Sequence, residues 1–239
     1  MLDAGQRLAA TYAELNRSGG MRNIDAFQAS DTDVLQNKEI LLWGLNERLL
    51  QIAENYLGLP VAFDGINIFY TKADGREVAA RKWHVDGEDR RMLKIAVYFN
   101  DVDSDGGPLQ ILKTDLPPRT FVEKFRAPVY TQERLASQLT TPPDENIATC
   151  TGPAGTVIFC DTARKYHRGK PAVARDRCAV FYNYFSRPPL RPFYCERSTL
   201  SREQLRSLAN DLSPLQRASV LWRDTQPLIA RILPPAPIA

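Results

Sequence analysis

The sequence predicts a mainly β domain flanked by helices, and three patterns predict it. Apolar residues recur at helical spacing from Asp3 to Asn16 and from about Asp33 to Leu57. From Ala62 to Phe185 the pattern changes to short apolar or alternating runs, rich in β-branched and aromatic residues and punctuated by Gly, Asp and Pro. Helical spacing returns after Ser201, at Leu205, Leu208 and Leu212. With 239 residues, 44% of them hydrophobic, the chain has enough apolar material for one good core. The expectation is a single domain, with N-terminal helices over 1–58, a β core over about 60–187 and a helical segment over about 198–232.

Ser30, Asp31 and Asp33 are the candidate caps of the second helical stretch, and Gly58-Leu59-Pro60 stops it. These helices are expected to brace the outside of the sheet. A strand is read over Ile66 to Thr71, an extended stretch at Trp83-His84-Val85-Asp86, and an apolar strand over Leu93 to Phe99 that ends in the Asp- and Gly-dense turn Asp101 to Gly107. Lys113 to Ala148, with Pro117-Pro118 and Pro142-Pro143, interrupts the strands and is expected to form a substrate lid. Gly152-Pro153-Ala154-Gly155 is a turn before Thr156 to Cys160, which reads as a buried strand, and Arg177 to Phe185 is the last. Ser201-Arg202-Glu203-Gln204 is a capping box, and the proline-rich tail from Leu233 is expected to be irregular.

A formal net charge of +3, with basic residues scattered along the chain, does not argue for a nucleic-acid partner. The basic stretch Arg76 to Arg91 is interleaved with Glu77, Asp86, Glu88 and Asp89, which makes it either a solvated rim or an attractor of anions. Cys150, Cys160, Cys178 and Cys195 lack paired short spacing and suit free thiols in a reducing compartment. No basic-then-apolar leader opens the chain and no apolar run is long enough to span a bilayer, so a cytoplasmic protein without a membrane partner is expected.

The chemistry gathers at the chain's two histidines. In an extended segment residues i and i+2 share a face, so His84 and Asp86 can chelate one ion while Val85 packs behind them. His167 supplies the third donor. Two imidazoles and one carboxylate on one face form the facial triad by which non-haem Fe(II) oxygenases hold iron and leave positions open. His-x-Asp also arises by chance, so the surroundings decide. Alternation puts Arg177, Ala179, Phe181 and Asn183 on one face, and a guanidinium facing an apolar interior is costly unless it meets an anion. A dicarboxylate cosubstrate supplies one, because the planar fork pairs bidentately with a carboxylate. Arg175, in the loop ahead, is the alternative clamp. On the middle strand Met92, Lys94, Ala96 and Tyr98 share a face. Lys94 is therefore either an interior contact for a carboxylate or a solvated charge, and Asn67 is a further candidate for lining the pocket.

Trp83-His84-Val85-Asp86, Gly106-Gly107-Pro108-Leu109, Gly155-Thr156-Val157-Ile158-Phe159, His167-Arg168-Gly169 and Arg177, ten residues after the distal histidine, together resemble the Fe(II)- and 2-oxoglutarate-dependent oxygenases, in particular the phytanoyl-CoA dioxygenase-like branch. The resemblance covers about Asp64 to Phe185. It implies a double-stranded β-helix (jelly roll, cupin-like), iron held by His84, Asp86 and His167, and 2-oxoglutarate bound through Arg177. It further implies a small-molecule substrate hydroxylated by O2 at an unactivated C–H bond, with succinate and CO2 as coproducts. Asp86, where a halogenase has a small residue, leaves no site for chloride. The Pro-Gly-Ser-His segment common in the branch is replaced by Ile111-Leu112-Lys113-Thr114-Asp115. The competing reading is a redox-inert Zn or Mn hydrolase or isomerase on the same scaffold, in which Arg177 has no evident task.

Overall fold

The computed structural model describes residues 1–21, 24–116 and 128–232. Its elements run α1 (Leu2–Arg17), β1 (Ala26–Gln28), α2 (Asp31–Gln36), α3 (Lys38–Gly44), α4 (Glu47–Leu57), β2 (Val61–Thr71), β3 (Met92–Tyr98), β4 (Leu109–Leu112), α5 (Gln132–Ala136), α6 (Pro143–Asn146), β5 (Ile147–Cys150), β6 (Val157–Cys160), β7 (His167–Gly169), β8 (Arg177–Ser186), α7 (Arg202–Leu208), α8 (Pro214–Val220) and α9 (Leu228–Ile232). The strands form two antiparallel sheets, β1-β2-β8-β3-β6 and β5-β4-β7, in a jelly-roll arrangement flanked by helices.

Strand alternation divides the five-stranded sheet into two chemically different faces. Ile66, Ile68 and Tyr70 of β2, Leu93, Ile95 and Val97 of β3, and Cys178, Val180, Tyr182 and Tyr184 of β8 form one core with Leu8, Tyr12, Ile40, Leu41, Leu50 and Leu57 of the N-terminal helices. Each fully buried Leu or Ile contributes roughly 1.5–3 kcal/mol. Two tyrosines also carry polar handles into the helices: Tyr182 Oη donates to Ile40 O (2.8 Å) and Tyr184 Oη to Gly44 O (2.6 Å). Gly44 lets α3 approach this closely, since a Cβ there would lie 2.2 Å from the Tyr182 ring. The opposite face carries Lys94, Arg177 and Asn183, and it is there that the candidate site lies.

Several expectations need correction. The stretch from Asp33 to Leu57 is three helices, because asparagine side chains compete for backbone groups at the breaks. Asn37 Nδ2 donates to Asp33 O, and Asn46 Oδ1 accepts from Arg48 N at the start of α4. The expected cap at Ser30 and stop at Gly58 are present, Ser30 with a reciprocal capping box to Asp33 and Gly58 with φ 72°. The N-terminal region is not wholly helical, since β1 adds an edge strand to β2. The strand expected over Thr156 to Cys160 is only half buried. Being β6, the sheet's other edge, it leaves Val157 40% and Phe159 47% exposed at the margin of the helix-packed face, opposite Val97 and Ile95. Of the expected lid, residues 117–127 lie outside the described residues, as does the tail from Leu233, and the lid's last two positions, Ile147 and Ala148, already belong to β5. The capping box at Ser201 starts α7 as expected. Among the described residues no helix is long and apolar enough to cross a membrane.

Candidate metal centre

His84 and His167 are direct partners across an antiparallel bridge, the amide of each donating to the carbonyl of the other at 3.0 and 2.9 Å. Opposed residues point to the same side, which brings the two ring centroids to 4.3 Å. Asp86 lies two residues on, its amide fixed to Thr162 O (2.9 Å), so its carboxylate returns to that side. Its Oδ1 is 3.8 Å from His84 Nε2 and its Oδ2 is 3.8 Å from His167 Nε2. One ligand atom from each of the three residues lies within 4.8 Å of the others. Val85 turns away, into a cluster with Trp83, Leu112, Tyr130 and Tyr166.

Backbone carbonyls fix both imidazoles. His84 Nδ1 is 2.8 Å from Lys82 O and His167 Nδ1 is 3.2 Å from Lys165 O. A carbonyl only accepts, so each Nδ1 carries the proton and each Nε2 lone pair faces Asp86. Burial lowers the pKa of His84 and pushes that of His167 down to about 3, against the attraction of Asp86. Burial also opposes ionisation of Asp86, but its surroundings, the Lys94 ammonium foremost, hold the carboxyl far below its usual range. Two neutral imidazoles and an ionised carboxylate are the protonation states metal coordination requires.

Lys94 is on the interior face and not a solvated charge on the outer one. Its Nζ is 2.5 Å from Asp86 Oδ2, a contact with a triad member in the place expected for a cosubstrate carboxylate. Arg177 is buried, and Nη1 donates to Gly107 O. Its Nε has no hydrogen-bond partner, and among the described residues no carboxylate pairs with it. The guanidinium rests against Gly169, where a Cβ would come within 3.0 Å of Nη2. Gly169 is two residues beyond His167 on the same face of β7, a step of about 7 Å. Arg175 is a surface residue held by Asp103. Asn67 shares the inner face, opposite Phe181, but its Oδ1 accepts from Gln28 Nε2 (2.9 Å) on β1.

Sequence reasoning passed over two buried residues here. Glu88 has the same parity as His84 and Asp86. Arg197 Nε holds its Oε1 at 2.9 Å, and its Oε2 has no hydrogen-bond partner among the described residues. Burial, then the neighbouring Asp86, raises its pKa. Asn183 lies directly across from Lys94, its Oδ1 also without a partner. Alternation from Asp86 and from Arg177 pointed to both residues; nothing local pointed to Arg197.

No protein-family model matches the chain, and no curated protein matches it in sequence. Among solved structures it is similar to EctD from S. alaskensis with bound Fe, at 19% identity over 84% of this chain and 73% of that one, with a TM-score of 0.51. EctD from S. alaskensis with 2-oxoglutarate and 5-hydroxyectoine is matched at 18% identity over 99% of this chain and 81% of that one, with a TM-score of 0.50. The likeness establishes the shared fold.

Proposed function

We propose that the chain is a non-haem Fe(II)- and 2-oxoglutarate-dependent dioxygenase that hydroxylates an unactivated C–H bond of a small molecule, with O2 as the oxidant and succinate and CO2 as coproducts. The observation that carries this reading is the coupling of a metal-ready triad to Arg177, a buried cation without an anion among the described residues, whose guanidinium rests against Gly169, two residues along β7 from His167. The fold is that of EctD, whose structures hold Fe in one case and 2-oxoglutarate with 5-hydroxyectoine in another.

The residues fit both groups. His84 Nε2, His167 Nε2 and one Asp86 oxygen would hold iron, leaving open the positions that face away from them. The Arg177 fork, steadied by Gly107 O, would take the far carboxylate of 2-oxoglutarate, which supplies the anion its burial demands. Iron and 2-oxoglutarate, once bound, would supply the means of activating O2 against the C–H bond. The chain's own part is positional and electrostatic. Lys82 O and Lys165 O keep both Nε2 atoms aimed inward, Lys94 confines Asp86, and the Trp83 cluster keeps the back of the triad dry. A redox-inert Zn or Mn hydrolase would use the same triad but leaves Arg177 unemployed.

The test is to add Fe(II) and then 2-oxoglutarate to the anaerobic protein and record the visible metal-to-ligand charge-transfer band, with Arg177→Ala alongside. A band that weakens in the variant supports the oxygenase. No band, with tight Zn(II) binding instead, favours the redox-inert enzyme.

A further inference from the structure

The oxygenase reading leaves two buried acceptors beside the triad without a task. Glu88 and Asn183 are 5% and 6% exposed, and among the described residues Glu88 Oε2 and Asn183 Oδ1 have no hydrogen-bond partner. Buried polar atoms in native proteins are nearly always bonded, so an orphan at a site marks the place of a ligand group.

The segment that carries Glu88 is anchored. Arg191 anchors the Glu88 backbone on both sides, its amide donating to Glu88 O (3.0 Å) and its Nη1 to Gly87 O (2.7 Å). Arg197 Nε, itself tied to Tyr194 O (2.9 Å), holds Oε1, which leaves Oε2 as the open oxygen. Glu88 follows Asp86 by two residues, and Asp86 in turn contacts Lys94, so the Glu88–Arg197 pair stands on the segment that carries the triad carboxylate. Asn183 approaches from the sheet, facing Lys94 on the neighbouring strand and sharing the inner face with Arg177.

We infer that the substrate carries an O–H or N–H group that donates to Glu88 Oε2 and Asn183 Oδ1, so that it is a small hydroxylated or amino compound. The inference rests on the oxygenase reading and names the substrate class for the same site. A hydrocarbon chain would leave both acceptors bare, and a carboxylate, which brings no donor, would leave them bare as well. Sites built to bond a substrate donor reject analogues that lack it far more strongly than apolar pockets reject a missing methylene.

The test uses the whole protein loaded with Mn(II) and 2-oxoglutarate, and reads paramagnetic broadening of the proton lines of four probes: ethanolamine, glycerol, 1,2-dimethoxyethane, which has no donor, and butyrate. Ethanolamine and glycerol are expected to broaden at least about tenfold more than the other two, and their ratio tells an amine substrate from a polyol. Glu88→Gln, which turns the open acceptor into a donor, and Asn183→Leu are each expected to cut that broadening at least about fivefold. Mn(II) affinity and thermal melts check that both variants are folded. Equal broadening by 1,2-dimethoxyethane, a preference for butyrate, no broadening by any probe, or donor broadening unchanged in both variants overturns the inference. Absence of the Fe(II)/2-oxoglutarate band in the wild type instead removes the oxygenase reading beneath it.

Discussion

Lys94 Nζ lies 2.5 Å from Asp86 Oδ2, so one oxygen of the triad carboxylate is held by an ammonium while the other, Oδ1, faces His84. Both side chains are largely buried, and removing one partner of such a pair costs about 3–5 kcal/mol because the other charge is stranded. Lys94→Met is therefore expected to destabilise the chelator-treated protein by about 3 kcal/mol. A divalent metal replaces the lost countercharge, so the gap should narrow under saturating Zn(II). Thermal melts of both proteins with and without metal check this; a gap that metal leaves unchanged would show that Lys94 does not share its task with the ion.

Arg177 and Arg175 are two residues apart in sequence and opposite in environment. Arg177 is buried against Gly107 O and Gly169, whereas the Arg175 side chain is 65% exposed on Asp103. Hydrogen bonds to charged groups contribute about 1.5–3 kcal/mol, so Arg177→Ala is expected to weaken 2-oxoglutarate binding by about 10²-fold. Arg175→Ala should change it by less than about twofold, as exposed pairs contribute little. Arg177→Lys should not restore affinity, because the fork is lost. Calorimetric titration of the Mn(II)-loaded proteins decides between the two arginines.

Gly107 both turns the chain and offers Arg177 its carbonyl. Its φ of +73° suits glycine, and a Cβ would lie 2.9 Å from Ala172 Cβ and 3.0 Å from Lys170 O. Left-handed strain in a non-glycine residue costs of order 1–3 kcal/mol. Gly107→Ala should lose about that much stability in urea unfolding and also weaken 2-oxoglutarate binding, since the carbonyl anchoring Nη1 must shift. Lost stability with unchanged binding would mean that the carbonyl does not set the position of the guanidinium.

The parts of the site governed by local rules were legible in the sequence. The parity of His84 and Asp86, the alternation of β8 around Arg177 and the capping boxes at Ser30 and Ser201 all depend on neighbours within a few residues. What was not legible depends on pairing across the chain. Whether Lys94 faced inward followed from which sheet face the helices took, and the exposure of Phe159 from β6 being an edge. The Glu88–Arg197 pair joins residues from separate segments, and no spacing announces it.

Asp64 ties that pair to the pH dependence of the fold. It is buried beside the bulge in β2, and its Oδ1 and Oδ2 accept from the amides of Glu196 (2.6 Å) and Arg197 (3.1 Å), fixing the backbone that carries Arg197. Burial pushes its carboxyl up to about 7, in spite of those two donors. An unfolded aspartate releases its proton near pH 3.9, so across the window from about 4 to 7 the folded state alone keeps the proton. The Asp64 contribution to stability must then fall as pH rises through that window and level off above it, by on the order of 4 kcal/mol, opposite in sign to the contribution of His167, whose pKa is lowered. Asp64→Asn cannot ionise, so this slope should vanish, while the loss of one acceptor costs about 1 kcal/mol at low pH. Urea unfolding of both chelator-treated proteins at pH 4.5 and pH 8 gives the difference directly. Equal pH slopes in the two proteins would mean that Asp64 is already ionised in the folded state and that Arg197 is anchored by a carboxylate throughout.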